Sequence, residues 1–162
     1  MEKETIEESQ ELKEEGAAPT TQASPFVHEE IEHVREGKHG ARSTKQAIAI
    51  GLSKARRAGV KLPTPPRGRV SEETRASAAS ATRRAGRKPN PRRGRAVRAA
   101  LKREGRAAAS PQALSRQARA ASRARGGRAR SASARNAVRT KGAAGRSTAA
   151  EKAARTRKRR GS

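Results

Sequence analysis

The scarcity of large apolar side chains limits this chain more than any motif in it: 34 residues are alanine, and only 17 are apolar and larger. Alanine buries little area. At about 25 cal/mol per Å² of apolar surface, the scattered larger side chains do not offset roughly 1 to 2 kcal/mol of backbone entropy per residue. The expected fold class is therefore mostly intrinsically disordered with short α-helices, a small two-helix module near residues 25–61, and no β-sheet.

Charge is sorted along the chain. Residues 1–36 hold 11 Glu against 3 Lys or Arg, and residues 37–162 hold 37 Lys or Arg against 4 Glu, for a net charge of +25 over all 162 residues. The expected organisation is an acidic disordered head at 1–23, a helical module at 24–62, and a basic Arg/Ala-rich disordered tail at 63–162 with transient helices. A negative head tethered to a positive tail is expected either to stay solvated or to fold back and occupy arginines until a stronger polyanion displaces it.

Helix punctuation is clearest in the module. Ser24 and Pro25 suit a helix start, Val27, Ile31 and Val34 recur at i, i+4 and i+7, and Gly37 ends the run. A second helix opens with Ser43 and Gln46 at capping-box spacing, carries Ile48, Leu52 and Ala55 on one face with Ala47 and Ile50 beside it, and stops at Gly59 and Val60 in a Schellman pattern before Pro63. The short G-K-H-G-A-R connection predicts an antiparallel pair. In the tail, Ser71 to Gly86, Ser110 to Gly126, Ser131 or Ser133 to Gly142, and a Thr148/Glu151 capping box mark further short helices. Arg95, Arg98, Lys102 and Arg106, and likewise Arg116, Arg119 and Arg123, recur at three or four and line helix faces.

The chemistry of catalysis is missing. The chain has no Cys, Tyr or Asp, and most of its Glu lies in the head and first helix, so it is not expected to be an enzyme and no cofactor or small-molecule substrate is expected. His28, His33 and His39 are five and six apart, no second cluster completes a tetrahedral set, and they read as solvated, with no metal ligand among them. The Gly37–Thr44 stretch places Lys38 and Arg42 ahead of a helix N-terminus, an arrangement that can hold one phosphate, but it lacks the order of a Walker A loop. An acidic N-terminus and the lack of a long apolar run predict a protein without signal peptide or membrane span, cytoplasmic and without a membrane partner.

The run from Ile31 to Pro63 resembles a bacterial domain of unknown function whose hallmark is a K-Q-A-I-A-I-A-L-S-E-A-R-like helix after a basic glycine loop; here it reads Lys45 to Arg56, with Gly51 and Lys54 as departures. That resemblance implies a small helical module and assigns no catalytic residue. The tail from Thr64 is similar in composition to linker-histone tails and bacterial histone-like proteins, with arginine in place of most of the lysine.

Arginine forks onto phosphate, and the basic tail has no aromatic ring on which to stack a base. The expectation is a nucleoid-associated, histone H1-like protein that binds and condenses duplex DNA without reading its sequence, DNA being favoured over RNA as partner. The residues expected to touch nucleic acid are Lys38, Arg42, Lys45, Lys54, Arg56 and Arg57 in the module; Arg92, Arg93, Arg95, Arg98, Lys102, Arg106, Arg116, Arg119 and Arg123 in the middle; and Arg155, Arg157, Lys158, Arg159 and Arg160 at the end. The alternatives are a structural or ribosome-assembly protein on RNA and a polyanion-buffering stress protein.

Overall fold

A computed structural model describes residues 2–87 and 90–160. Helices run through nearly all of it: α1 (Lys3–Glu14), the single turn α2 (Pro19–Gln22), α3 (Ser24–Arg35), α4 (Thr44–Arg57), α5 (Glu72–Arg83), α6 (Pro91–Lys102), a 3₁₀ turn (Ala107–Ala109), α7 (Pro111–Ala124) and α8 (Gly126–Arg160). No strand occurs among the described residues, only an isolated bridge between Arg67 and Val70. The chain divides into two compact units, Met1–Gln117 and Ala118–Ser162.

A mostly disordered chain is therefore the wrong expectation, for the head and for the tail. The entropy argument undervalued alanine. Among the described residues, eight of the thirteen buried apolar side chains are alanines, which add contact area while losing no rotamer freedom. Alanine and arginine are also among the strongest helix formers, so local propensity and packing agree.

The first unit is built on α3 and α4. Ala47 clusters with Ile31 and Val34, Gly51 faces Val27, and Ala55 clusters with Ala23 and Phe26, so the two helices run antiparallel. The buried stripe of α4 is Ala47, Gly51 and Ala55, spaced four apart; of the predicted face Ile48, Leu52 and Ala55, only Ala55 is buried and the two larger residues are half-buried. Small residues let the backbones close up. A Cβ on Gly51 would stand 2.7 Å from Val27 Cα and 2.9 Å from the Phe26 carbonyl oxygen. Phe26, the chain's one aromatic of the Phe/Tyr/Trp type, is fully buried here with Val60, Leu62 and half-buried Ile6 and Leu52 around it.

Caps fix the ends. Ser43 accepts from the Gln46 N–H, and the Gln46 side chain accepts in turn from the Arg42 N–H. At the other end Gly59 N–H donates to the Arg56 carbonyl and Val60 N–H to that of Ala55, the Schellman pattern, with Gly59 at φ +99°. α3 closes the same way through Gly37 and Lys38. Ser24, expected as its cap, is already helical and bonds back to the Thr21 carbonyl.

The acidic head is folded. α1 lies against α3, with Ile6 reaching the Phe26 cluster, Thr5 and Ser9 buried, and Ser9 Oγ donating to the Gln22 carbonyl. α5 buries Ala78 and Ala81; it starts at the Ser71 cap as expected and ends at Arg83, short of Gly86, which follows in the turn at φ 71°. α6 buries nothing, and Val97 on it is 51% exposed. α6 is tied in at its C-terminal end, where the Gly40 N–H donates to the carbonyl of Leu101 in its last turn and the Ala41 N–H to that of Gly105 just beyond it. That join is tight, since a Cβ on Gly40 would overlap the Glu104 carbonyl.

In the second unit α8 starts at Gly126 rather than at Ser131 or Ser133 and is broken by a non-helical Gly142 at φ 62°, the residue expected to stop it. Thr148 and Glu151 fall inside the helix, where Ser147 Oγ donates to the Glu151 carboxylate. Among the described residues, no helix is long and apolar enough to cross a membrane.

Candidate nucleic-acid interface and a buried histidine cluster

The exposed positive charge is carried mainly by α6 and the helices after it. Arg92, Arg93, Arg95, Arg98 and Lys102 all lie exposed on α6. Arg116, Arg119 and Arg123 are exposed on α7, and Arg155 on α8; Arg157, Lys158, Arg159 and Arg160 lie outside the residues whose side chains are described. Arg106 does not continue the α6 stripe. It falls beyond the helix end and donates to the Arg35 carbonyl at 3.4 Å.

Within the module the predicted contacts split. Lys45 and Arg57 are exposed, and Arg42 is exposed beside Glu104 at 3.4 Å. Lys38 is exposed but paired with Glu36 at 3.0 Å and Glu2 at 3.4 Å, and the Glu36 contact leads in holding its pKa above the usual lysine value. Lys54 and Arg56 are turned inward. Arg56 is buried, donates from Nη2 to the Pro63 carbonyl at 3.0 Å, and has its pKa lowered by that burial. In the Gly37–Thr44 loop the Gly40 and Ala41 amides serve the α6 join, the Arg42 amide serves the cap of α4, and Thr44 Oγ1 donates to the Ala108 carbonyl at 2.6 Å.

Lys54 belongs to a buried polar cluster between α3 and α4. Its ammonium sits 2.8 Å from Glu29 Oε1 and 2.8 Å from Glu30 Oε2. Burial alone pushes the Lys54 pKa down, but the two carboxylates override it and hold the amine charged. Burial likewise pushes Glu29 up, and hydrogen bonds from Lys54, Thr5 and the Glu2 N–H reverse this, holding it down to about 2. Glu30 is fully buried, and its carboxylate oxygens meet Lys54 and His39 at contact distance without a hydrogen bond of good geometry.

Two of the three histidines join this cluster. His39 Nε2 is 3.4 Å from Glu30 Oε1, His33 Nε2 is 3.0 Å from Glu2 Oε1, and the two rings meet edge to face with centroids 6.1 Å apart. Glu30, His33 and His39 each offer a donor atom within 4.8 Å of the others, the arrangement of a metal-ligand set. Their side chains are nearly buried, while His28 is 79% exposed and matches the solvated reading given to all three. Sequence separation hid this group, because His39 returns to the α3 face only through the turn at Gly37. The Glu-x-x-His spacing of Glu30 and His33, which places both on one helix face, was the available signal.

Glu29 and His33 also line an open cleft of about 220 Å³ between α1 and α3, together with Glu2, Glu4, Glu8, Glu32, Glu36 and Lys38. Among the described residues, Glu2 of the head pairs with His33 and Lys38 across the fold.

Residues 28–66 match DUF6496, a family of unknown function. The match takes in Glu29, Glu30, His33, His39 and Lys54 and leaves α1 and everything after residue 66 outside it. No curated protein and no solved structure matches the chain.

Proposed function

We propose that this protein binds duplex DNA through phosphate contacts, without reading base sequence, and that it acts as a charge-neutralising, DNA-compacting protein of the cytoplasmic nucleoid. The observation that carries this reading is the exposure of α6. Five basic side chains stand on a helix of which no residue is buried, so their charge is spent on no internal partner among the described residues. Exposed arginines on α7 and α8 extend the supply, and the acidic residues collect on the α1 and α3 cleft.

Arginine supports the reading because its planar fork takes two phosphate oxygens at once, which favours bridging between duplexes. Base reading is disfavoured because direct readout needs a helix held rigidly by a scaffold, and the backbone join that holds α6 lies at its C-terminal end, at Leu101 and Gly105. Competition of the purified chain between duplex DNA, single-stranded DNA and structured RNA at equal salt tests the choice. The expected result is preference for duplexes of any sequence, weakened when Arg92, Arg93, Arg95, Arg98 and Lys102 are all changed to Gln with helicity intact. Preference for one structured RNA would replace DNA by RNA as the partner.

A further inference from the structure

We propose that Glu30, His33 and His39 form a binding site for a zinc-class divalent cation, a site that fastens α3 to the loop before α4. The first observation is the convergence of the three donors, all within 4.8 Å of one another. Around a tetrahedral ion with bonds of about 2.0 to 2.1 Å, neighbouring ligand atoms are about 3.3 Å apart. His39 Nε2 and Glu30 Oε1 already stand at 3.4 Å, so only His33 must close in.

The second observation is Glu30 itself, a carboxylate with no solvent exposure whose oxygens make no hydrogen bond of good geometry. Lys54 engages Oε2 at 2.8 Å and leaves Oε1 directed at the histidines. A carboxylate buried in this way, with the Lys54 ammonium on one oxygen and only histidine at the other, is costly unless a second cation completes its shell.

The surroundings match the outer shell of a metal centre. His39 places Nδ1 3.1 Å from the Gly40 carbonyl, which fixes the tautomer with Nε2 free to ligate. His33 has the Glu2 carboxylate 3.0 Å from Nε2, the kind of carboxylate partner that orients a ligating imidazole. Two imidazoles and one carboxylate suit zinc among common divalent ions, with a fourth position left for water. Glu29 close by offsets the repulsion between the ion and Lys54.

The test is calorimetric titration of the full chain with zinc chloride at neutral pH, alongside thermal unfolding. The expected result is one saturable site per chain and a raised unfolding temperature in zinc. His39→Ala and His33→Ala each weaken binding by more than about tenfold, the lower end for losing even an outer partner of a metal ligand, while exposed His28→Ala leaves it unchanged. Glu30→Gln, which keeps the shape, gives a further reading if an alanine variant fails to fold. The absence of saturable uptake, or uptake that survives in His39→Ala and Glu30→Gln alike, overturns the proposal.

Discussion

Helices α4 and α6 are close in length, 14 and 12 residues, and each carries three alanines with four and five basic residues respectively, yet one is the centre of the fold and the other buries nothing. Composition does not separate them, and neither does the presence of an apolar face, since α6 has Val97 and Leu101 on one side. The difference is the neighbour. α4 presents the small stripe Ala47, Gly51 and Ala55 to a helix eight residues away in sequence that supplies Phe26, Val27, Ile31 and Val34. A stripe of small residues becomes a core only when a partner with large ones lies against it, and among the described residues of the first unit none buries a residue of α6. Its arginines stay available for that reason.

The strongest way to break the contrast is to remove the large partner. Phe26→Ala is expected to cost about 3 to 5 kcal/mol, read by chemical denaturation, because the buried ring leaves a cavity that a stripe of alanines cannot fill. A loss below about 1 kcal/mol would mean that the α3–α4 contact is not the core. Next comes the small side. Gly51→Leu is expected to cost about 1 to 3 kcal/mol, since its Cβ would press on the α3 backbone rather than on a side chain that can move.

Acid sharpens the comparison from a different direction. Glu29 has a folded pKa of about 2 against an ordinary 4.5, so its contribution is present above about 4.5 and is lost as pH falls from there towards 2. The thermal midpoint is expected to drop across that window in the wild type, and the drop is expected to be smaller in Glu29→Gln. Equal slopes in the two proteins would remove Glu29 from the account. The smallest effect belongs to α6, where Val97→Ser is expected to change stability by no more than about 0.5 kcal/mol because the side chain is half in water. A large loss there would show that α6 is packed after all.

What the sequence disclosed was punctuation. Ser43, Gly37, Gly59, Ser71, Ser110, Gly126 and Gly142 all mark helix ends or breaks, because capping is decided within a few residues and needs no tertiary partner. The packing was hidden. The periodicity placed the α4 face on Ile48, Leu52 and Ala55 with Ala47 beside it, whereas the close approach at Gly51 turns the helix so that Ala47, Gly51 and Ala55 are buried and the two large residues are not. The same count made head and tail disordered, although α1 needed only Ile6, Thr5 and Ser9 to seat on the rest. Lys54 and Arg56 read as surface bases because nothing local distinguishes a lysine facing water from one facing Glu29 and Glu30 on another helix. The histidine cluster was hidden for the same reason.

The central claim is that exposed arginines bind nucleic acid through phosphate charge alone, and the salt dependence of binding to duplex DNA tests it most directly. If on the order of ten phosphates are engaged, log affinity is expected to fall against log salt with a slope near about −9, the same for two duplexes of unrelated sequence. A slope shallower than about −3, or affinity that holds for one sequence as salt rises, would contradict it.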